Sequence, residues 1–370
     1  MKVGIVGAGI AGLTTAVAFA RLGADVVVYE RPDAEPTAGA GISLFSNGLR
    51  ALDAVGLADD VRALGAPPDV PAGVRTPKGK WLLRTPPYVG PEFAVVHRRD
   101  LHDILSAAAP PVRVATVVEV RDTATVVLDS GATHAFDLVV GADGIASGIR
   151  RSWPEDPGIR YAGYTAWRGV TPGPFTAPSA GETFGRGERF GVVPMNDGRV
   201  YWYAVASVPA DWPVPDEKAE LVRRFGTWHD PIPALLDAAD GHAILRNDII
   251  DLAAPLRRFV RGRVALAGDA AHAMTPNLGQ GGNQALEDAV TLAALTTRHD
   301  LATALGRYDA MRRERTAPIA RHSWQMGRIA QARGRVAVAL RDTLIRLTPG
   351  TRAVRAATRT QEWQPPSTRG

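Results

Sequence analysis

The run Gly7-Ala8-Gly9-Ile10-Ala11-Gly12 constrains this chain more than any other feature, because of what stands on either side of it. Ahead of it, Lys2–Val6 is short and apolar, as a buried strand is. Behind it, Ile10, Leu13, Val17 and Ala20 recur at helical spacing. Gly23 ends that helix, and residues 26–29 supply a second buried strand. Strand, helix and strand in this order open a doubly wound parallel sheet. Gly7 permits the tight turn, Gly9 lets backbone approach a pyrophosphate, and Gly12 lets helix and strand pack closely. Unpaired amides and the helix dipole at such a turn favour an anion. Glu30 closes the second strand 18 residues after Gly12, where a carboxylate accepts hydrogen bonds from a ribose and repels a 2′-phosphate. The expectation is a dinucleotide site held by Gly7, Gly9, Ala11, Gly12, Glu30 and Arg31, with NADP disfavoured there.

Two later stretches also carry a strand into a glycine turn. Val139-Val140-Gly141-Ala142-Asp143-Gly144 leads to Ser147 and Arg150, and by itself it reads as an ordinary Asp-Gly turn as readily as a site. Residues 262–272 carry a buried strand into Asp269, and Pro276-Asn277-Leu278-Gly279-Gln280-Gly281-Gly282-Asn283 then feeds a helix at Gln284. A carboxylate at Asp269 suits a polyol hydroxyl, helix amides suit an anion, and the glycines let a flat ring lie against backbone. A flexible connection accounts for the glycines but not for the aspartate and the loop together. Because these features recur near residues 141 and 268, the nucleotide domain is expected to be discontinuous, over 1–69, 97–157 and 250–320. A second domain is expected over 70–96 and 158–249, with 321–370 forming C-terminal helices and a polar tail, mobile from Gln361.

Between these landmarks, residues 32–48 read as a loop, 49–65 and 97–109 as helices, and the proline-rich 67–91 as a crossing between layers. Residues 112–120 and 125–128 read as two strands of a small antiparallel element. Alternation over 164–170, 190–193 and 200–208, with a turn at Asn196-Asp197-Gly198, reads as antiparallel sheet. The absence of cysteine excludes disulfides, thiolate metal sites and cysteine nucleophiles. No apolar run is long enough for a membrane span, and the first residues lack a secretory pattern, so a cytoplasmic location is expected. The net charge of +5, from 43 basic and 38 acidic residues, is modest. The arginines between Arg298 and Arg359 are interspersed with acids and read as solvated helix faces, so no nucleic-acid partner is expected. No histidine pair at ligand spacing and no Gly-x-Ser-x-Gly elbow occur, so neither a metal nor a serine nucleophile is expected.

In order and separation, the three stretches resemble the para-hydroxybenzoate hydroxylase-like flavoprotein monooxygenases, which are single-component FAD-dependent aromatic hydroxylases. The resemblance covers roughly residues 1–320 and is most specific over 268–289, with the urate hydroxylase, salicylate hydroxylase and carotenoid epoxidase branches nearest. It implies an α/β fold: a Rossmann-like FAD-binding domain, an inserted, mostly antiparallel β-sheet substrate domain, and C-terminal helices. It implies FAD in the N-terminal site, with Glu30 at the adenosine ribose, Asp269 at the ribityl chain, and Asp143 and Gly144 by the pyrophosphate. Arg98 matches the family arginine that reaches FAD, and Pro276, Gly279, Gly281, Gly282 and Asn283 would line the isoalloxazine ring. It further implies NADH or NADPH as a transient co-substrate and dioxygen giving a flavin hydroperoxide. One oxygen atom then passes to a small aromatic or heteroaromatic substrate, in a monomer or homodimer.

On the substrate side, Arg189 and Tyr201 match in spacing the arginine and tyrosine of the urate hydroxylase branch, whereas Trp167-Arg168-Gly169 is closer to salicylate hydroxylase. Arg189 would stabilise a substrate anion and Tyr201 relay a proton. Alternation puts Tyr201 and Tyr203 on one face and Trp202 on the other, and any one of these aromatics also reads as plain sheet core. His272 reads as a hydrogen-bonded structural histidine. The alternatives are an FAD-dependent epoxidase of an alkene-containing substrate and a non-catalytic FAD-binding redox sensor.

Overall fold

Val3, Ile5, Val28, Val139 and Val140 are all buried, as strands covered by helices on both faces must be. They belong to a six-stranded sheet in the order Val260–Arg261, Val264–Leu266, Leu138–Gly141, Lys2–Val6, Asp25–Glu30, Val112–Val114. Every neighbouring pair is parallel except the first. The computed structural model describes residues 1–33, 40–64, 70–85, 92–195, 197–350 and 358–366. Register decides what this sheet can do. Val6 stands beside Gly141, and Gly141 beside Leu266. The three central strands therefore end level, and their glycine turns leave the same edge.

A seven-stranded, mostly antiparallel sheet takes its strands from residues 72–85 and 159–252. One face buries Trp167, Phe190 and Trp202 under the helices Glu217–Phe225 and Ile232–Ala238. The other carries Tyr201 and Tyr203 toward a two-stranded ribbon, Gly41–Phe45 paired with Phe93–His97. The alternation read from the sequence thus sorts these aromatics correctly. Among the described residues, no helix is long and apolar enough to cross a membrane.

Several local expectations are corrected. Within 32–48, Gly41–Phe45 is a strand and a helix begins at Ser46, while 34–39 lie outside the described residues. The helical stretch 49–65 is two helices, Ser46–Ala54 and Ala58–Leu64, broken where Gly56 takes φ +65°; residue 65 is not described. The expected strand over 112–120 divides after Val114. Its first part joins the parallel sheet beside Asp25–Glu30, and Val117–Arg121 pairs with Thr125–Leu128. The proline-rich crossing contains the hairpin Ala72–Arg75 and Trp81–Thr85, with 67–69 and 86–91 outside the described residues, as is Asn196 of the expected turn. The helix expected from Gln284 starts at Gly281. Of the tail expected to be mobile from Gln361, the described part, 361–366, is anchored: Gln361 and Trp363 are buried, and Arg50 donates to the carbonyls of both. The late arginines are not all solvated, since Arg312 and Arg341 are buried.

Candidate active site

The first turn rests directly on the second. Gly7 has φ +104°, and a Cβ on it would lie 2.3 Å from the Ala142 carbonyl oxygen. The third turn closes against the first: Gly268 has φ +62°, and a Cβ there would stand 2.8 Å from that of Ala11. Arg150, fully buried, ties the second turn to the third. Its guanidinium donates to the carbonyls of Ile145 at 2.6 Å and Ala270 at 3.2 Å, and pairs with Asp156 at 2.9 Å.

Two helices begin at this junction with bare amides. Ile10–Arg21 starts from Gly9 and Gly281–Thr296 from Gln280; neither has a side-chain cap or an acidic residue in its first turn. A Cβ on Gly9 or Gly144 would meet nothing within 4 Å. Unsatisfied helix amides beside open ground are what an anionic group needs. The Glu30 carboxylate accepts from the Ala8 amide at 2.6 Å and the Arg31 amide at 2.9 Å, which fixes it beside the first turn with lone pairs to spare. Asp269 is exposed, with a carboxylate oxygen 4.0 Å from where a Gly281 Cβ would stand. Asp143 accepts from the Ile149 amide at 3.3 Å, but its Oδ1 is buried without a partner, and burial pushes its pKa up. An orphaned acceptor at such a place invites a ligand's hydrogen bond. These residues fit an extended cofactor with a pyrophosphate and a polyol, as FAD has. Arg98 is exposed at the start of the helix Arg98–Ala108, and its amide donates to the Ala40 carbonyl at 2.8 Å. The Arg31 side chain is exposed and 3.6 Å from Asp33.

The loop before the second helix is pinned from beneath. Pro276–Leu278 makes one 3₁₀ turn, with Pro276 exposed, and Gly279 turns left-handed at φ +62°. The Asn283 amide donates to the carbonyls of Ser43 at 3.0 Å and Gly279 at 2.9 Å and accepts from the Phe45 amide at 2.9 Å. Its side chain is spent on backbone, leaving its main chain to face a ring. Gly282 lies under Ile42 and Gly279 beside Phe45. Deeper down, Asn47 donates to Gln280 at 3.0 Å and Glu287 at 2.7 Å, and Arg312 bridges Glu287 at 2.6 Å and Asp288 at 2.5 Å. Asp288 also holds His272 at 2.6 Å and accepts from the Gly268 amide at 2.7 Å. Burial pushes the Asp288 carboxyl up, but the His272 imidazole and the Arg312 guanidinium outweigh burial and hold it below the usual range.

On the inner face of the large sheet, Arg189 and Tyr201 do not meet. The ladder sets Val193 opposite Tyr201 and Arg189 opposite Val205, so about 13 Å of strand separates the two. Tyr203 stands between them, its ring 5.9 Å from that of Tyr201. Gly191 and Gly41 make room for these rings: a Cβ on Gly191 would be 2.1 Å from Tyr203, and one on Gly41 2.4 Å from Tyr201. Arg189 is 4% exposed, paired with Glu182 at 3.4 Å, and donates to the side-chain Oδ1 of Asn277 in the loop. Asn277 donates in turn to the Tyr164 hydroxyl and the Ser323 carbonyl, both at 2.9 Å. Glu182, Asn47 and Arg312 were not singled out in the sequence, and Asn277 only as part of its loop. The partners of Asn47 and Arg312 lie 24 to 240 positions away, and Arg189 reaches Asn277 across 88, so no local pattern marks them; Glu182 stands only 7 residues from Arg189, but across a hairpin turn.

Residues 1–323 match the family model described as FAD binding domain. The sequence is 39% identical to the aurachin C monooxygenase/isomerase of Stigmatella aurantiaca, over 93% of each chain. It is 36% identical to the 2-heptyl-3-hydroxy-4(1H)-quinolone synthase of Pseudomonas aeruginosa, over 94% of each. The fold superposes on the crystal structure of Klebsiella pneumoniae HpxO complexed with FAD and uric acid with a TM-score of 0.87 at 29% identity, covering 98% of this chain and 96% of that one.

Proposed function

The chain belongs to the FAD binding domain family and is an FAD-dependent monooxygenase, and from that premise we propose that it adds one oxygen atom to a small aromatic or heteroaromatic substrate, consuming NADH or NADPH and dioxygen. The observation that carries this reading is the convergence of three glycine turns and two uncapped helix starts on one sheet edge, with the loop before the second helix tied to the inner face of the second sheet through Asn277 and Arg189. Bound FAD supplies the redox chemistry and the activation of oxygen. The chain's residues bind it, orient it and shield it. Amides from Gly9 to Gly12 and the Asp143-Gly144 turn would take the pyrophosphate, and Glu30 and Asp269 the ribose and ribityl hydroxyls. Amides at Gly281, Gly282 and Asn283 would face the anionic edge of the ring, with Pro276 and Gly279 along it. Arg98 would reach the cofactor from the rim.

The substrate would lie between the loop and the face carrying Tyr201, Tyr203 and Arg189. Burial pushes the Tyr201 phenol up, against the opposing influence of Arg168 and Arg98. Tyr201 therefore stays protonated at neutral pH and suits hydrogen-bond donation and proton relay more than it suits a standing base. Arg189 has a buried Nε without a partner, while Glu182 offsets much of its charge. That balance favours a polar carbonyl or enolate of a ring over a free carboxylate, in keeping with the quinolone and urate named for relatives. Phe45 and Phe93, with rings 5.2 Å apart, help keep the space dry, which suppresses unproductive loss of activated oxygen.

The test is a screen of the FAD-loaded protein with phenols, purines, pyridines and 4-quinolones for stimulated NADH and NADPH oxidation, with mass spectrometry of the products. A ring product carrying one added oxygen is expected. A protein that takes up no FAD, or a panel in which no compound gains oxygen, overturns the reading.

A further inference from the structure

We propose that the chain carries a second small-molecule site, for an aromatic monoanion, in the cavity between the helix Leu301–Ala330 and the segment 252–259. The cavity has a volume of about 330 Å³, within the range of small-molecule pockets. Its walls are largely apolar, with Leu252, Leu256, Phe259, Ala317 and Ala320 among them. Arg189, Tyr201, Tyr203 and the loop 276–283 take no part in it, so it is separate from the proposed substrate face.

Three polar features specify the occupant. His272, 5% exposed, lines the cavity; its Nε2 is held by Asp288 at 2.6 Å, and its Nδ1 is buried without a partner. Arg160 pairs with Asp251 at 2.8 Å and sits over Trp324, its guanidinium carbon 3.6 Å from the ring centroid, and the indole gives the cavity an aromatic wall on which a flat body can stack. Arg313 is neutralised by Asp309 at 2.8 Å, whereas Arg321 is exposed at the rim with no ion pair among the described residues. One uncompensated guanidinium matches one anionic head. The cavity and the third glycine turn also share the Asp288 carboxylate, which holds His272 on one side and the Gly268 amide on the other.

The experiment is isothermal titration of the FAD-saturated protein with anilinonaphthalene sulfonate, which has a flat apolar body, one anion and one N–H. One site per chain is expected. Arg321→Gln should weaken it about tenfold, the worth of one charge-assisted hydrogen bond. Ala317→Phe, which places a ring in the cavity, should abolish binding, with FAD content and substrate-stimulated NADH oxidation unchanged. The proposal is overturned if no heat of binding is seen, if Arg321→Gln binds as the parent does, or if an aromatic substrate displaces the probe competitively. Arg321 lies at the surface, so that variant decides the matter even if Ala317→Phe fails to fold. Because probe binding is read without turnover, the titrations of the parent and of Arg321→Gln stand independently of the monooxygenase reading.

Discussion

Asp143 holds a carboxylate oxygen in the interior with nothing to bond, and burial raises its pKa. The folded protein therefore keeps this proton more tightly than the unfolded chain does. The stability linked to it is complete below the ordinary aspartate value of about 3.9 and is lost as pH rises through the raised folded value. At neutral pH the ionised group weighs against the FAD-free fold. Asp143→Asn is expected to melt higher than the parent in flavin-stripped protein at neutral pH, with the gap shrinking toward pH ~4; a gap that does not change with pH would refute this. Asp269 poses the opposite case. It is exposed, so Asp269→Ala should leave the melting temperature alone and weaken FAD retention about tenfold, the worth of one or two hydrogen bonds. Flavin release during ultrafiltration measures it, and unchanged retention would clear Asp269 of the role. Both residues were legible in the sequence because each follows a strand and a glycine marks its turn. At Asn283 the sequence shows the position by the loop but not that the side chain is committed to Ser43, Gly279 and Phe45, which leaves only its main chain for a ring.

The helix Gly281–Thr296 is the element on which the site turns, and its sequence shows only half of why. Its glycines announce a close approach at the N-terminus. What fixes that N-terminus is a buried network in which Arg312, from the following helix, neutralises both Glu287 and Asp288. Binary patterning assigns an arginine to the surface, so this one was read as a solvated face. Only the packing of the two helices reveals that a pair of buried acids requires it. Removing one member of such a group leaves uncompensated charge in the interior, at a cost of about 3–5 kcal/mol. Arg312→Met is expected to lose about that much stability in urea unfolding and to shed FAD. Full stability in Arg312→Met would show that the acids are held by other means. The strand Gly41–Phe45 was missed for a related reason. In isolation its residues resemble a glycine- and serine-rich loop, and they become a strand only because Phe93–His97 pairs with them across some fifty residues.

At the scale of the molecule, the four central strands of the parallel sheet could be read early because they announce themselves one by one, by apolar runs and turns, whereas the outer strands Val112–Val114 and Val260–Arg261 could not. How the two sheets meet could not. It depends on Tyr201 lying against Gly41, on Arg189 reaching Asn277, and on the chain's far end returning to its beginning. That return is the least expected part of the architecture. Trp363 is 8% exposed, Arg50 on the helix Ser46–Ala54 donates to the Trp363 carbonyl at 2.7 Å, and Arg315 donates to the Thr360 carbonyl at 2.9 Å. Arg315 also grips Glu287 at 2.5 Å, so the C-terminal segment braces the same network that supports the flavin-facing loop. Composition marked this segment as polar and loose, because one tryptophan among prolines and arginines leaves no periodic signal. If the contact closes the fold, Trp363→Ala should cost about 3 kcal/mol, the usual toll of emptying a tryptophan-sized site, and lower the melting temperature by several degrees. Ending the chain at residue 350 should do at least as much and should speed FAD loss, since Arg315 then loses the partner that aligns it on Glu287. A shortened protein that melts with the parent and keeps its flavin would mean that the segment rests on the surface without supporting it.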